Sequence, residues 1–359
     1  MLWLDAIRAI ACQVIVLHHL SIYGPVAHAT RELAPSLIGW LDDYGRIAVQ
    51  VFLVIGGFLF MRARTGRSAP DLRELGAAVV RRWQRLFLPF YGALALVLLA
   101  AIPARAWLAG DWVPQSPDAA TLLAHFTGLY DYLGVEALSA GAWYVTIDLQ
   151  LHALTLALAW MAGHGSPRPG QQARMFLGLI LAAAALSLLW INRHPEWDVQ
   201  PLYFFGSFAL GIAAGGLAPG APTDARRFGW LMLGLTAIAL LIEWRLRIAV
   251  AVVCAMAVSA GLRGAGAQFD TWIVDAAAGG RLILHRLIAF LADISYSLFL
   301  VHFAVCVLVN AVFVRFTDQT PALAALFFLM AWLLSVPVAA ALSRLLERPF
   351  VHSRSRSHG

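Results

Sequence analysis

Lysine is absent from this 359-residue chain, so all 26 basic side chains are arginine. A guanidinium stays charged even when partly buried and presents a planar fork of donors. Charge is scarce as well: 13% of residues are charged, against roughly 25% in a soluble domain, which excludes an ordinary soluble globule. Cysteine is nearly missing. Cys12, Cys254 and Cys306 stand in apolar stretches without CxxC or Cys/His spacing, which excludes a disulfide framework and a zinc site and leaves them as packing residues, with no metal expected. No clustered basic patch with a recognition motif accompanies the net charge of +6, so nucleic acid is not an expected partner. Fixed-period repeats and low-complexity tracts are lacking too, which leaves one membrane domain over residues 1–350 and a short basic polar tail over 351–359.

What is present is apolar: 61% of residues are hydrophobic and the mean hydropathy is +0.75. A helix needs about 20 apolar residues to cross a bilayer. Such runs recur near residues 4–24, 46–62, 84–102, 141–163, 173–191, 199–217, 228–244, 247–263, 288–314 and 322–343. The expected fold is all-α, a polytopic membrane bundle of about ten transmembrane helices. Residues 121–135 mix Leu, Phe and Tyr with His125 and Asp131 and suit an interfacial or re-entrant segment better than a crossing. Residues 8–29 share features with a signal peptide, but the pair His18-His19 interrupts the apolar run before Ala27-His28-Ala29.

Arginine placement sets the orientation. The 62–85 connection carries Arg62, Arg64, Arg67, Arg73, Arg81, Arg82 and Arg85 against Asp71 and Glu74, so that side is expected to be cytoplasmic. Ten crossings then place both termini there, with Arg344, Arg348, Arg354 and Arg356 near the end and Asp42, Asp43, Asp111 and Asp118 on the opposite side. Arg245 and Arg247, beside Glu243 in a tight connection on that opposite side, run against the bias and raise the question whether this hairpin is drawn correctly.

Ionisable groups inside spans are costly and demand either a structural pair or a site. Arg8 and His19 are eleven residues apart in the first span. At about 100° and 1.5 Å per residue they share one helix face, roughly 16 Å apart along the axis. A snorkelling Arg and a hydrogen-bonded His satisfy the same pattern.

At this point the chain resembles the acyltransferase-3 family of membrane acyl-CoA transferases, which opens with Arg, ten residues and His. LDAIRAIACQVIVLHHL (4–20) is similar to that opening, VQVFLVIGGFLF (49–60) to the F-F-x-x-S-G-F-L segment, and RRWQRLFLP (81–89) to the Arg-x-x-Arg motif. AWYVTIDLQLHAL (142–154), ISYSLFLVHFAV (294–305) and LLERPF (345–350) follow in family order. Two departures stand out: Gly56 replaces the Ser of the S-G-F segment, and Asp148 stands where many members have Glu. No stretch corresponds to the hydrolase-like domain that some members append, so no relay through one is expected.

The resemblance implies transfer of an acyl group, commonly acetyl from cytoplasmic acetyl-CoA, to a hydroxyl of a cell-envelope saccharide or glycolipid by a multi-pass protein of the bacterial inner membrane. Acyl-CoA is then a co-substrate, and no tightly bound cofactor is implied. His19 is the expected general base, since an imidazole titrates near neutral pH. His18 points about 100° away and is left out. Arg82 and Arg85, three residues apart, are expected to hold coenzyme A phosphates. Arg8 would bind the same donor or steady a carboxylate. Asp148 would orient His19 or pair with Arg8, and a buried structural salt bridge is the competing reading. Trp143, Gln150, Ser295, Tyr296 and His302 are expected on the acceptor side, with a structural hydrogen bond as the alternative for His302. From another class, a transporter or flippase using Arg8, His19 and Asp148 as a substrate or proton path stays open, as does a non-catalytic assembly protein.

Overall fold

The computed structural model describes residues 1–108, 112–165, 168–274 and 281–348. The predicted tail over 351–359, Asp111 and the last two residues of the LLERPF block lie outside the described residues. Among the described residues there is no strand. Nine helical stretches among those residues are long and apolar enough to cross a bilayer, and a shorter apolar helix covers Pro201–Gly216. The all-α bundle is therefore the observed architecture.

The helices are α1 (Leu2–Ile22), α2 (Pro25–Leu33), α3 (Pro35–Tyr44), α4 (Val49–Arg64), α5 (Leu72–Trp107), α6 (Ala119–Thr127), α7 (Ala142–His164) and α8 (Pro169–Leu189). There follow α9 (Pro201–Gly216), α10 (Thr223–Ile242), α11 (Leu246–Ala260), α12 (Gly266–Val274), α13 (Arg281–Asp293), α14 (Ser295–Phe316) and α15 (Pro321–Leu342). Proline opens α2, α3, α8, α9 and α15, where its missing N–H costs nothing and its fixed φ suits the first turn.

Several boundaries differ from the apolar runs, each for a local reason. The first crossing stops at Ile22, because Gly24 turns the chain at φ 89°. The second reaches back to Pro35 through α3 and a short 3-10 turn over Gly45–Ala48. Helix α5 begins twelve residues before the expected span and runs for 36 residues, about 54 Å at the α-helical rise and well beyond a hydrocarbon core of about 30 Å. Its Arg-rich first turns continue the same helix. The apolar run near 288–314 is broken at Ile294, which separates α13 from α14. Helix α6 has nine residues, far short of a crossing, as the mixed composition of that segment predicts.

The chain contacts gather into two compact units. The first holds Met1–Arg8, Val49–Trp83 and Ile147–Ala289. Its centre is α9, packed by α4, α8, α10 and α11. Every residue from Tyr203 to Ala214 is buried, as suits a helix apolar on all sides. A side chain at Gly57 would collide with the Phe208 carbonyl, and one at Gly211 with the Val54 carbonyl. The backbones of α4 and α9 therefore touch, which is how small residues hold membrane helices together. Beside them Ser207 donates to Gln50 Oε1 at 2.6 Å.

The same unit accounts for the two arginines that run against the charge bias. Helices α10 and α11 are joined by the expected tight connection, and Arg245 is 7% exposed. It donates to the Leu188 and Ala239 carbonyls, in the last turns of α8 and α10, and to Asn192 Oδ1 at 2.8 Å. Arg247 donates to the Tyr203 hydroxyl and the Asn192 carbonyl. Cations placed on unsatisfied carbonyls at helix C-termini are favourable. These arginines close helix ends.

The second unit holds Ala9–Ala48, Gln84–Thr146 and Phe290–Gly359. Its central helix is α14, flanked by α15 and α2. Asn310 on α14 serves the break between α1 and α2: its Oδ1 accepts from the Val26 amide at 2.8 Å and its Nδ2 donates to the Tyr23 carbonyl at 3.4 Å. A side chain at Gly24 would meet Asn310 directly, so glycine is required there by both φ and space. Further along, Trp332 donates to Gln13 at 2.7 Å and ties α15 to α1.

Candidate active site

In the second unit the last turn of α1 delivers His19 against α14. His19 is 8% exposed and His302 is fully buried. Nδ1 of His19 lies 2.8 Å from Nε2 of His302. The ring centroids are 4.8 Å apart and the planes 8° from parallel. Nδ1 of His302 faces the Leu298 carbonyl, one turn back on α14, at 3.3 Å. Tyr23 and Phe299 complete the aromatic surround, with ring centroids 5.9 and 6.3 Å from His19. Burial raises the pKa of Tyr23, with the Cys306 thiol beside it, so this phenol stays neutral.

His18, as its angle around α1 predicts, does other work: its Nδ1 donates to the Leu41 carbonyl at 2.8 Å, and Gly45 sits flush against its Cβ. It fastens α3 to α1.

Of the residues expected on the acceptor side, Trp143, Ser295 and Tyr296 make contacts within this unit. Ser295 donates to the Ala292 carbonyl at 2.8 Å, and its own carbonyl accepts from Cys12 Sγ at 3.1 Å. Tyr296 donates to the Leu86 carbonyl at 2.7 Å, tying α14 to α5. Trp143 meets Tyr144 edge to face, and Tyr144 meets Phe299 likewise at 5.5 Å. Arg85 lies within electrostatic reach of Glu347, which accepts from Ser343 at 2.9 Å.

In the first unit, Arg82 donates to Asp148 Oδ1 twice, from Nε at 3.1 Å and from Nη2 at 2.5 Å. The side chains are 24% and 15% exposed. One turn further along α7, His152 meets the edge of Phe60 at 5.1 Å and feels the charges of Arg82, Asp148 and Arg64. Gln150 lies half-buried on α7. Arg8 pairs with Asp5 at 3.7 Å, both about one third exposed.

The structure thus brings together two pairs, His19 with His302 and Arg82 with Asp148. The partner given to Asp148 is Arg82 rather than Arg8 or His19, and the partner given to His19 is an imidazole rather than a carboxylate. Arg82 presents its fork to the Asp148 carboxylate at hydrogen-bond distance, where a guanidinium and a carboxylate match. His302, expected on the acceptor side, lies against His19. The sequence offers no local signal for this pairing, which joins residues 283 positions apart. His152 carries a signal in the sequence, since it follows Asp148 by four residues and therefore shares its helix face. Among the described residues no group of three His, Cys, Asp or Glu side chains is arranged to hold a metal ion.

Comparison with known proteins gives a family model described as an acyltransferase domain, which matches residues 1–344. No curated protein and no solved structure matches the chain.

Proposed function

The chain belongs to the acyltransferase family, and from that premise we propose that it moves an acyl group, acetyl in the first instance, from cytoplasmic acyl-CoA to a hydroxyl of an envelope saccharide or glycolipid. The seat is the bacterial cytoplasmic membrane. His19 is the general base. The observation that carries this role is its buried imidazole, whose hydrogen bond among the described residues runs through Nδ1 to His302 and leaves Nε2 to the reaction.

The alcohol gives its proton to Nε2 as its oxygen attacks the thioester carbonyl carbon. The C–S bond of the tetrahedral intermediate then breaks. The coenzyme A thiolate takes the proton from the imidazolium, and ester and free thiol leave. Such a base contributes about 10²- to 10⁴-fold. Arg82 and Arg85 hold donor phosphates from the Arg-rich end of α5, where bidentate forks suit phosphate oxygens, and Arg8 steadies the donor along α1. Trp143, Gln150, Ser295 and Tyr296 shape the acceptor side.

The test supplies isotope-labelled acetyl-CoA to membranes containing the protein and reads label in envelope glycans and lipids by mass spectrometry. His19→Ala is expected to lose transfer by at least about 10²-fold while the purified variant keeps its unfolding temperature. Undiminished product from that variant removes His19 as base, and an acceptor that crosses the membrane unmodified replaces the enzyme with a transporter.

A further inference from the structure

The hydrogen bonds around the two buried imidazoles decide which nitrogen of each carries a proton. A carbonyl oxygen can only accept, so Nδ1 of His302, facing the Leu298 carbonyl at 3.3 Å, is the protonated nitrogen. In neutral His302 the lone pair is therefore on Nε2. That lone pair faces Nδ1 of His19 at 2.8 Å, and two lone pairs do not meet at such a distance, so Nδ1 of His19 is a donor. Neutral His19 accordingly holds its proton on Nδ1 and its lone pair on Nε2. The chain runs in one direction, from His19 through His302 to the α14 backbone.

We propose that His302 is the positioning residue of acyl transfer, the acceptor that fixes the tautomer and ring orientation of His19. The proposal rests on the reading of His19 as base. The role is the one a buried carboxylate plays toward histidine in hydrolase triads, filled here by a neutral imidazole. When Nε2 takes the alcohol proton, the bond from Nδ1 becomes charge-assisted and strengthens, so His302 favours the transition state over the resting state. His302 touches neither donor nor acceptor, and its loss should appear in kcat and not in KM. Among the described residues the ionisable neighbours of the pair are His18 on α1 and Tyr23 just beyond it, with Cys306 of α14 beside Tyr23. None supplies a carboxylate to take over.

The experiment compares His302→Gln, His302→Asn and His302→Leu in the full-length protein, with acetyl-CoA as donor. The Gln amide oxygen reaches roughly as far as the imidazole Nε2, and the Asn oxygen falls short by one methylene. Gln is expected to keep kcat within about tenfold of the unaltered protein. Asn and Leu are expected to fall about 10²-fold or more, with KM for acetyl-CoA unchanged in all three. Should the Leu variant fail to fold, the contrast between the two amides still decides, because both are polar and similar in volume. Equal loss in Gln and Asn, or loss carried by KM, overturns the proposal while His19→Ala still reports separately on the base. Absence of transfer by the unaltered protein instead removes the underlying reading.

Discussion

At the scale of single residues, the Arg82 and Asp148 pair is where charge is placed most deliberately in the first unit. Both side chains are less than one quarter exposed, so removing the carboxylate leaves a partly desolvated cation against its old partner. Hydrogen bonds to charged groups contribute about 1.5–3 kcal/mol. Asp148→Asn is therefore expected to lower stability by about 1–3 kcal/mol, read as a fall in the unfolding temperature of the detergent-purified protein. Asp148→Glu, which keeps the carboxylate, should lose less. His125 makes a second, pH-dependent prediction. Its Nδ1 donates to the Thr121 carbonyl at 2.9 Å and its Nε2 accepts from the Leu138 amide at 3.0 Å, so only the neutral ring serves both. Burial lowers its pKa below the ordinary 6.5. The unfolded chain then takes up this proton first, and stability is lost as pH falls from near 6.5 toward the depressed folded value. Unfolding temperatures measured from pH 7.5 to 5 should drop more steeply for the unaltered protein than for His125→Gln. Parallel curves would show that His125 does not titrate between the two states. Of these residues, His19 was legible because an imidazole inside an apolar run is conspicuous. Its partner was not, because helix periodicity relates neighbours on one helix and carries nothing about which face of α14 meets α1.

Helices repeat the lesson at larger scale. The crossings were legible because a bilayer imposes a length, and nearly every apolar run finds its helix. Their ends were less so, since hydropathy does not register a helix that continues into water: the first turns of α5 look like a polar loop. An apolar run likewise conceals a break inside it, as at Ile294. The α4–α9 crossing depends on the absence of two side chains, a feature hydropathy barely registers. Gly57→Leu and Gly211→Leu must part the backbones, and overpacking of this kind costs about 1–3 kcal/mol or more. Gly76→Ala on α5, where an added methyl meets nothing within 4 Å, should be neutral or stabilise by up to about 1 kcal/mol. Thermal unfolding of the three variants separates contact from composition, and equal behaviour would mean that the close approach carries no stability. Arg245 makes the same argument with charge. Arg245→Ala strips donors from the ends of α8 and α10 at once, and each buried acceptor left unsatisfied costs about 1–3 kcal/mol.

For the whole molecule, the decisive quantity is which way the chain threads the membrane, and the described helices sharpen the charge argument. If α1, α4, α5, α7, α8, α9, α10, α11, α14 and α15 each cross, then among the described residues Arg31, Arg46, Arg105, Arg193, Arg245, Arg247 and Arg315 fall on one side and the other seventeen arginines on the opposite side. Two of the seven, Arg245 and Arg247, are committed to helix ends, so the bias that places the first turns of α5 in the cytoplasm is stronger than the raw count. The weak step is α9, whose 16 residues span about 24 Å, less than the hydrocarbon core. Its burial by four other helices shields its ends with protein instead of lipid, so the shortfall need not be met by the bilayer. A labelling experiment reads both points together. Cys12, Cys254 and Cys306 are buried, which keeps the background low. Ser68→Cys, between α4 and α5, and Asp318→Cys, between α14 and α15, occupy exposed positions separated by seven crossings. A membrane-impermeant maleimide added to intact spheroplasts is expected to label Asp318→Cys and to spare Ser68→Cys until the membrane is opened. Reversal of the two would invert the orientation and put the Arg-rich end of α5 out of reach of cytoplasmic acyl-CoA. Labelling of both from one side would mean an even number of crossings between them, and α9 would be the helix that fails to cross.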